Sequence, residues 1–130
     1  MTHGDDEGAW LVGRIAKSKS DTLNDIYAFQ AWYQEQLGYE IGGIENARRN
    51  VLYAFAELAE LLDELPWRWH RKGQPPVDKG ALVGEFADLL VFLMNVLLHC
   101  GVTDAELRRG ISDTLAKNLG RLDDGTNIPG

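Results

Sequence analysis

The sequence predicts an all-α protein, a bundle of four or five helices. Apolar residues recur at spacings of three and four in several segments, which is the period of an amphipathic helix. No segment shows a convincing alternation of apolar and polar residues, the pattern of a half-buried strand. Glycines, prolines and capping residues separate the periodic segments, so we expect distinct helices joined by short loops.

Two helices are predicted in the first half of the chain. Ser20 or Asp21 can cap the first, which continues from residue 25 to residue 37 and stops at Gly38. The second begins near Glu45, after two glycines, and ends at Pro66, because proline cannot continue a helix. On the second helix we expect the apolar residues to form one face, and the glutamates the other. The apolar residues are Val51, Leu52, Phe55, Ala56, Leu58, Ala59 and Leu62, and the glutamates are Glu57, Glu60 and Glu64.

Two further helices are predicted in the second half. Residues 79–99 are apolar nearly all round, so this helix should lie in the middle of a bundle or of a dimer interface. Thr103 and Glu106 form a capping box that starts a fourth helix, which should end around residues 119–120. Its inner stripe is expected to be Leu107, Ile111 and Leu115.

Length and composition indicate one domain and limit the partners. We expect an N-terminal tail or arm at residues 1–20, a helical domain at 21–122 and a C-terminal tail at 123–130. The net charge of −7 argues against nucleic acid or an anionic membrane surface as the main partner. The apolar run at residues 89–98 is too short to span a bilayer, and the acidic N-terminus is not a signal peptide. The single cysteine, Cys100, rules out an internal disulfide and should be buried, so we expect a cytoplasmic protein.

Four carboxylates are the candidate metal ligands. Glu57 and Glu60 are three residues apart, as are Glu85 and Asp88, and residues three apart lie on one face of a helix. Taken alone, the first pair is typical of a wet helix face. The second pair lies on the apolar helix, where a buried carboxylate needs a cation, a basic partner or a proton. Two such faces opposed would surround a divalent cation, and oxygen ligands favour Mg²⁺.

The remaining candidate residues suit phosphate and base binding. No glycine-rich phosphate loop occurs, so phosphates must be bound by metal and by basic side chains. The loop after the second helix joins two tryptophans to basic residues, which predicts either a hydrophobic lid with solvated tips or a cover for a nucleotide. The tryptophans are Trp67 and Trp69, and the basic residues of the loop and of the fourth helix are Arg68, Arg71, Lys72, Lys117 and Arg121.

These motifs resemble those of the all-α nucleoside triphosphate pyrophosphohydrolases, which include MazG-like enzymes and the dimeric dUTPases. The two carboxylate pairs match the superfamily's ExxE and ExxD motifs, and the resemblance continues through residues 117–121 and covers roughly residues 24–125. The segment from Glu57 into Pro66 and Trp67 is similar to the dimeric dUTPases. The sequence Leu-Leu-Val-Phe after Asp88, followed by Asn95, is more similar to the MazG-like enzymes.

The resemblance implies a MazG-like helical bundle completed by homo-oligomerisation, as a homodimer or homotetramer. It implies an Mg²⁺-dependent enzyme, with Mn²⁺ as a substitute, that cleaves a nucleoside triphosphate, dUTP above all, to the monophosphate and pyrophosphate. Glu57, Glu60, Glu85 and Asp88 would bind the metal, and Glu57 would also orient or deprotonate the attacking water. The phosphate-binding residues would be Lys117, Arg121, Arg71 and Lys72, and the base or sugar contacts would be Gln30, Asn118, Trp67 and Trp69.

Two alternatives stay open at this point. One is a MazG-like pyrophosphohydrolase of broader or different nucleotide specificity. The other is a non-catalytic helical module that binds metal or nucleotide, or that serves interactions alone. The intact carboxylates at all four motif positions argue against the second, because apolar residues there would relieve an unfavourable buried charge.

Overall fold

The computed structural model describes residues 7–11, 21–65, 73 and 76–123. It contains four long helices: α1 (Thr22–Gln36), α2 (Ile44–Asp63), α3 (Lys79–His99) and α4 (Asp104–Asp123). Residues 7–11 are also helical, and no strand occurs among the described residues. The all-α prediction is confirmed.

The predicted helix starts agree with the capping hydrogen bonds. The Asp21 carboxylate accepts a hydrogen bond from the backbone N–H of Asn24 at 3.3 Å, which satisfies one of the free donors at the start of α1. At the start of α4, the Glu106 backbone N–H donates to the Thr103 hydroxyl, and the Glu106 carboxylate accepts from the Thr103 N–H. This is the predicted capping box. At its other end α4 continues to Asp123, about one turn beyond the predicted stop.

Helices α2 and α3 form an antiparallel pair that is the most extensive packing within the chain. Contacts between them run in opposite sequence directions: the Asn50 side chain meets Asn95, and the Tyr53 ring lies 5.4 Å from the Phe92 ring, centroid to centroid. The buried positions of α2 are Ala47, Asn50 and Ala54, three and four residues apart. Small residues on this stripe let the two helices lie close together.

Helix α1 lies against α3 and holds the start of α4. Its Tyr27 hydroxyl donates a 2.6 Å hydrogen bond to the backbone carbonyl of Val102, in the turn between α3 and α4. Asp21 and Arg108 form an ion pair at 2.7 Å. Within the described residues, α1 is the only helix against which α4 packs. The rest of α4 therefore projects from the three-helix body.

The predicted apolar faces are not buried within one chain. On α2, Leu52 and Phe55 are 66% and 63% exposed, because the face turned to α3 carries small and polar residues instead. Phe86 on α3 is half exposed, and on α4 Ile111 and Leu115 are exposed rather than forming an inner stripe. Of the two places predicted for α3, the middle of a bundle is not realised within the single chain, and the dimer interface stays a prediction. The prediction that Cys100 is buried is wrong for the single chain, in which Cys100 is exposed.

Helix α3 also passes a length and composition test for a membrane span. It is 21 residues long, and the mean hydropathy of its most apolar window is 2.0. It is longer than the apolar run at residues 89–98 because it begins ten residues earlier, at Lys79. A buried core helix of a bundle passes the same test, although only 11% of this window is buried within the single chain. Its pairing with α2, and the carboxylates of Glu85 and Asp88, give it an explanation within a helical bundle.

We expect the exposed apolar faces to be covered by a second copy of the chain. Phe55→Glu should shift the protein toward monomers, because a charge in an apolar interface must lose its hydration. Arg48→Glu places the same charge on the same helix, at a side chain that is already polar and 69% exposed, and serves as the control. Sedimentation velocity at several concentrations measures the outcome. A wild-type chain that stays monomeric at high concentration would contradict this expectation.

Candidate functional site

The two carboxylate pairs predicted from the sequence meet in the groove between α2 and α3. One carboxylate oxygen from each of Glu57, Glu85 and Asp88 lies within 4.8 Å of the other two. Glu60, one turn after Glu57 on α2, is close enough to hydrogen-bond with the carboxyls of Glu57 and Glu85. Glu57 and Glu85 are half-buried, whereas Glu60 and Asp88 are exposed. The exposure of Glu60 agrees with the wet-face alternative, whereas the Glu57 carboxyl is half-buried beside Glu85 and Asp88.

The crowding of these carboxylates raises the pKa of two of them, Glu57 and Glu85. Burial, followed by the hydrogen bond and charge of Glu60 and the charges of Asp88 and Glu85, raises the pKa of Glu57 to about 7. Burial, Glu60 and Asp88 likewise raise the pKa of Glu85, while its hydrogen bond with Glu57 lowers it. Without a cation, the cluster therefore retains a proton near neutral pH.

The cluster has the properties of a divalent-cation site. One oxygen of Glu57 and one of Glu85 are buried without a hydrogen-bond partner among the described residues. Nor does any lysine or arginine in these parts of the chain form a salt bridge with the four carboxylates. Unpaired buried oxygens are costly, and a hard cation would satisfy them with the ligand type that it prefers. The donor set thus fits a divalent metal.

A cavity of about 560 Å³ lies among α1, α2 and α3. Tyr53 and Phe92 line it, and they belong to the same α2–α3 pair as the carboxylates, on the adjoining helical turns. The other walls include three buried amide side chains, those of Gln30, Asn50 and Asn95. The groove therefore combines an anionic cluster with a neighbouring chamber that is polar and aromatic.

The three amides form a chain of hydrogen bonds, here called the amide relay. Gln30 Nε2 donates to Asn95 Oδ1 at 2.9 Å, and Asn95 Nδ2 donates to Asn50 Oδ1 at 3.1 Å. Asn50 Nδ2 then donates to the backbone carbonyl of Asn46 at 2.9 Å. Gln30, which the resemblance assigned to the base or sugar, is only 4% exposed and lies at the first position of this relay.

His99 closes the end of the cavity near the start of α2. Its Nδ1 accepts a 3.0 Å hydrogen bond from the backbone N–H of Gly42, a residue whose φ of +133° suits glycine. Burial lowers the pKa of His99, so the imidazole is neutral and carries its proton on Nε2. Its role here is to join α3 to the loop before α2.

Sequence reasoning did not single out Asn50, Asn95 or His99 as functional residues. A signal existed for Asn95, the one polar side chain within the apolar run of residues 89–98. For Asn50 there was none, because a polar residue on an amphipathic helix is ordinarily a surface residue. Only the packing of α2 on α3 places its amide in the interior.

The other predicted site residues are not brought to the groove by the described single chain. Lys117, Asn118 and Arg121 are exposed on α4, which packs only on α1 among the described helices. Their assigned roles remain predictions. The predicted base and phosphate contacts of the loop lie outside the described residues, and these are Trp67, Trp69, Arg71 and Lys72.

The raised pKa of Glu57 predicts pH-dependent metal binding. Cation binding needs the carboxylate, so apparent affinity should fall as pH drops from 8 to 6, by up to about tenfold per pH unit for one displaced proton. Titration calorimetry in buffers of different ionisation enthalpy should detect proton release near pH 7. Glu57→Gln cannot ionise and should lack the component of proton release that Glu57 supplies. Equal affinity at both pH values would contradict the assignment.

The same shift predicts the pH dependence of metal-free stability. The folded-state pKa of Glu57, about 7, is above the ordinary value of 4.5, so its favourable contribution is complete below 4.5 and lost as pH rises toward 7. The melting temperature without metal should therefore include a falling component across this window, and Glu57→Gln should reduce it. Thermal denaturation with EDTA measures both proteins.

Comparison with known proteins assigns the chain to a family. The sequence profile of a family described as dUTPase matches residues 19–122, which is most of the chain and includes all four carboxylates and the amide relay. No curated protein and no solved structure gave a match. The profile match confirms the resemblance noted from the sequence motifs. The chain belongs to the dimeric, all-α dUTPase family, within the all-α nucleoside triphosphate pyrophosphohydrolase superfamily.

Proposed function

We propose that this protein is an Mg²⁺-dependent nucleoside triphosphate pyrophosphohydrolase whose principal substrate is dUTP. The observation that carries the proposal is the convergence of Glu57, Glu85 and Asp88 within 4.8 Å, one helical turn from residues that line the cavity of about 560 Å³. The cluster suits metal-bridged phosphates, and the cavity has room and polar groups for a nucleoside. The family match supports the same chemistry.

Glu57, Glu60, Glu85 and Asp88 are the residues that would hold Mg²⁺, and Mn²⁺ is a suitable substitute because it accepts the same oxygen ligands. When bound, the ion neutralises phosphate charge and polarises the phosphoryl oxygens. Among the four, Glu57 is the candidate general base. Its half-buried carboxyl lies in the groove with Glu85 and Asp88, where it could accept a proton from a water held there.

The proposed reaction is attack of water on the α-phosphorus. Water provides the new oxygen on that phosphorus, and its proton goes to Glu57. The bond from the α-phosphorus to the bridging oxygen breaks, which releases the nucleoside monophosphate and pyrophosphate. Because two phosphates leave together, the carboxylate site must hold the triphosphate in one orientation, and the nucleoside cavity next to it would set that orientation.

The cavity would accept the base and sugar between Gln30 on one side and the Tyr53–Phe92 pair on another. Buried amides supply donors and acceptors for the edge of a base, and aromatic rings pack on its face. Asn118, Trp67 and Trp69 are proposed as further base or sugar contacts, in accord with the family motifs.

Basic side chains would complete the phosphate site. We assign this role to Lys117 and Arg121, with Arg71 and Lys72 from the loop. Since α4 projects from its own three-helix body, the partner copy in a homodimer or homotetramer would place Lys117 and Arg121 at the carboxylates. This arrangement would also cover the exposed apolar face of α2. We expect the enzyme to act in the cytoplasm, without nucleic acid or membrane partners.

A broader, MazG-like specificity is the second candidate. Amide side chains offer both donors and acceptors, and hydrogen bonds of the cavity could therefore serve several bases. A preference for dUTP well above other nucleotides would support the first candidate. Comparable rates on several nucleotides would support the second.

Pyrophosphate release from a panel of deoxy- and ribonucleoside triphosphates, dUTP included, tests the proposed function, and orthophosphate release is measured for dUDP. We expect turnover with Mg²⁺, none with EDTA, and rates on dUTP well above those on dCTP. Asp88→Ala should lower kcat/KM by at least about 100-fold, because the metal loses a ligand. Its far-UV circular dichroism should remain helical. Asp113→Ala, which removes an exposed carboxylate from α4, is the matched control and should retain activity.

Two outcomes would contradict the proposal. Full activity in Asp88→Ala would exclude the carboxylate cluster as the catalytic metal site. The second outcome combines two results: the wild-type protein hydrolyses no nucleotide of the panel, and its melting temperature does not rise with Mg²⁺ and a non-hydrolysable nucleotide. Because a ligand that binds the folded state must stabilise it, this outcome would favour the non-catalytic module.

A further inference from the structure

The amide relay has a fixed direction, and the cause is the backbone carbonyl of Asn46. A side-chain amide can present either its oxygen or its nitrogen to a neighbour, and the two are normally exchangeable by a flip of the amide group. A backbone carbonyl can only accept. Asn50 must therefore turn its Nδ2 toward the Asn46 carbonyl, at 2.9 Å, and its Oδ1 toward Asn95.

The same constraint passes along the relay to the cavity. Because Asn50 accepts through Oδ1, Asn95 must donate through Nδ2, and this leaves Asn95 Oδ1 facing Gln30. Gln30 must then donate through Nε2, at 2.9 Å. A flip of any one amide would oppose two oxygens or two N–H groups in a buried network, which is costly because neither group has water as a substitute. Gln30 Oε1 is thus retained as the acceptor at the head of the relay.

We infer that the amide relay is a specificity device, in which the Asn46 carbonyl, Asn50 and Asn95 fix Gln30 Oε1 as an acceptor that selects bases carrying a ring N–H. For a pyrimidine nucleotide, this means a 4-oxo base, whose N3–H donates to Gln30, over cytosine, whose N3 has a lone pair instead. Asn50 and Asn95 are positioning residues that act through Gln30. The inference rests on the proposed function for its substrate class and adds the cause of its base preference.

Gln34 is a second amide in the cavity that can adapt to the base selected by Gln30. It lies one turn after Gln30 on α1, lines the same cavity and is only 4% exposed. Its Nε2 is buried without a hydrogen-bond partner among the described residues. Because no hydrogen bond within the described parts of the chain fixes this amide, Gln34 can turn either Nε2 or Oε1 toward a base, and the selection rests on Gln30. A 4-oxo pyrimidine presents a carbonyl oxygen beside N3–H. Cytosine presents an amino group and a lone pair at the same two positions.

Two variants of Asn50 distinguish an effect of the relay on base preference from an effect of packing. Asn50→Leu removes the acceptor that orients Asn95, so Gln30 becomes free to flip and present Nε2 to cytosine. We expect the dUTP-over-dCTP ratio of kcat/KM to fall by at least about tenfold. Asn50→Asp keeps an oxygen toward Asn95, and as a buried, protonated acid it also keeps a donor toward the Asn46 carbonyl, so the ratio should stay within about threefold of the wild-type value. The dUTP-over-dTTP ratio should not change in either variant, because thymine also carries N3–H.

Binding to the wild-type protein tests the inference without catalysis and without a variant. In titration calorimetry with Mg²⁺, dUMP should bind at least about tenfold more tightly than dCMP and than N3-methyl-dUMP, which lacks the ring N–H. An unchanged dUTP-over-dCTP ratio in a folded Asn50→Leu variant would overturn the inference, as would equal binding of dUMP and dCMP. Neither result would contradict metal-dependent hydrolysis, which the nucleotide panel tests separately. If no nucleotide is hydrolysed, the proposed function fails, and the binding comparison alone decides whether the relay selects a base.

Discussion

The register of α2 against α3 is the constraint on which the other features of this protein depend. The hydrogen bond from Asn95 to Asn50 and the contact of Tyr53 with Phe92 hold the two helices in one antiparallel alignment. The same alignment brings Glu57 beside Glu85 and Asp88. A shift of one helical turn, about 5.4 Å, would separate the carboxylates and leave the relay amides without partners. Fold and site are therefore set by the same contacts.

The carboxylate cluster and the relay differ in whether their buried polar groups have hydrogen-bond partners. In the relay each of the three amides has a partner, and the chain ends at a backbone carbonyl, so it can rigidify the helix pair. In the cluster like charges approach one another, two oxygens have no partner among the described residues, and the pKa of Glu57 rises to about 7. This arrangement is unfavourable in the absence of a ligand. A divalent cation bound by these oxygens would relieve the repulsion and satisfy the two unpaired oxygens.

The exposed faces of α2 and α4 connect the architecture to the candidate site. A chain that leaves Leu52, Phe55 and Leu115 more than half exposed has apolar surface suited to a partner copy. Helix α4, which also carries Lys117 and Arg121, projects from the three-helix body. Association of two copies would cover the apolar surface and bring basic side chains toward a cluster that has no basic partner among the described residues of its own chain.

The sequence by itself determined the helices and the identity of the carboxylates, because both are local patterns. Apolar spacing and capping residues locate α1 to α4, and the spacing of Glu57 with Glu60 and of Glu85 with Asp88 places each pair on one helix face. Which face of α2 turns inward was wrongly predicted from hydrophobicity. The small residues Ala47 and Ala54 pack against α3, while the larger apolar residues remain outside. Only the tertiary structure decided this, and with it the burial of Asn50 and the direction of the amide relay, because these depend on contacts between residues 45 or more positions apart in the chain.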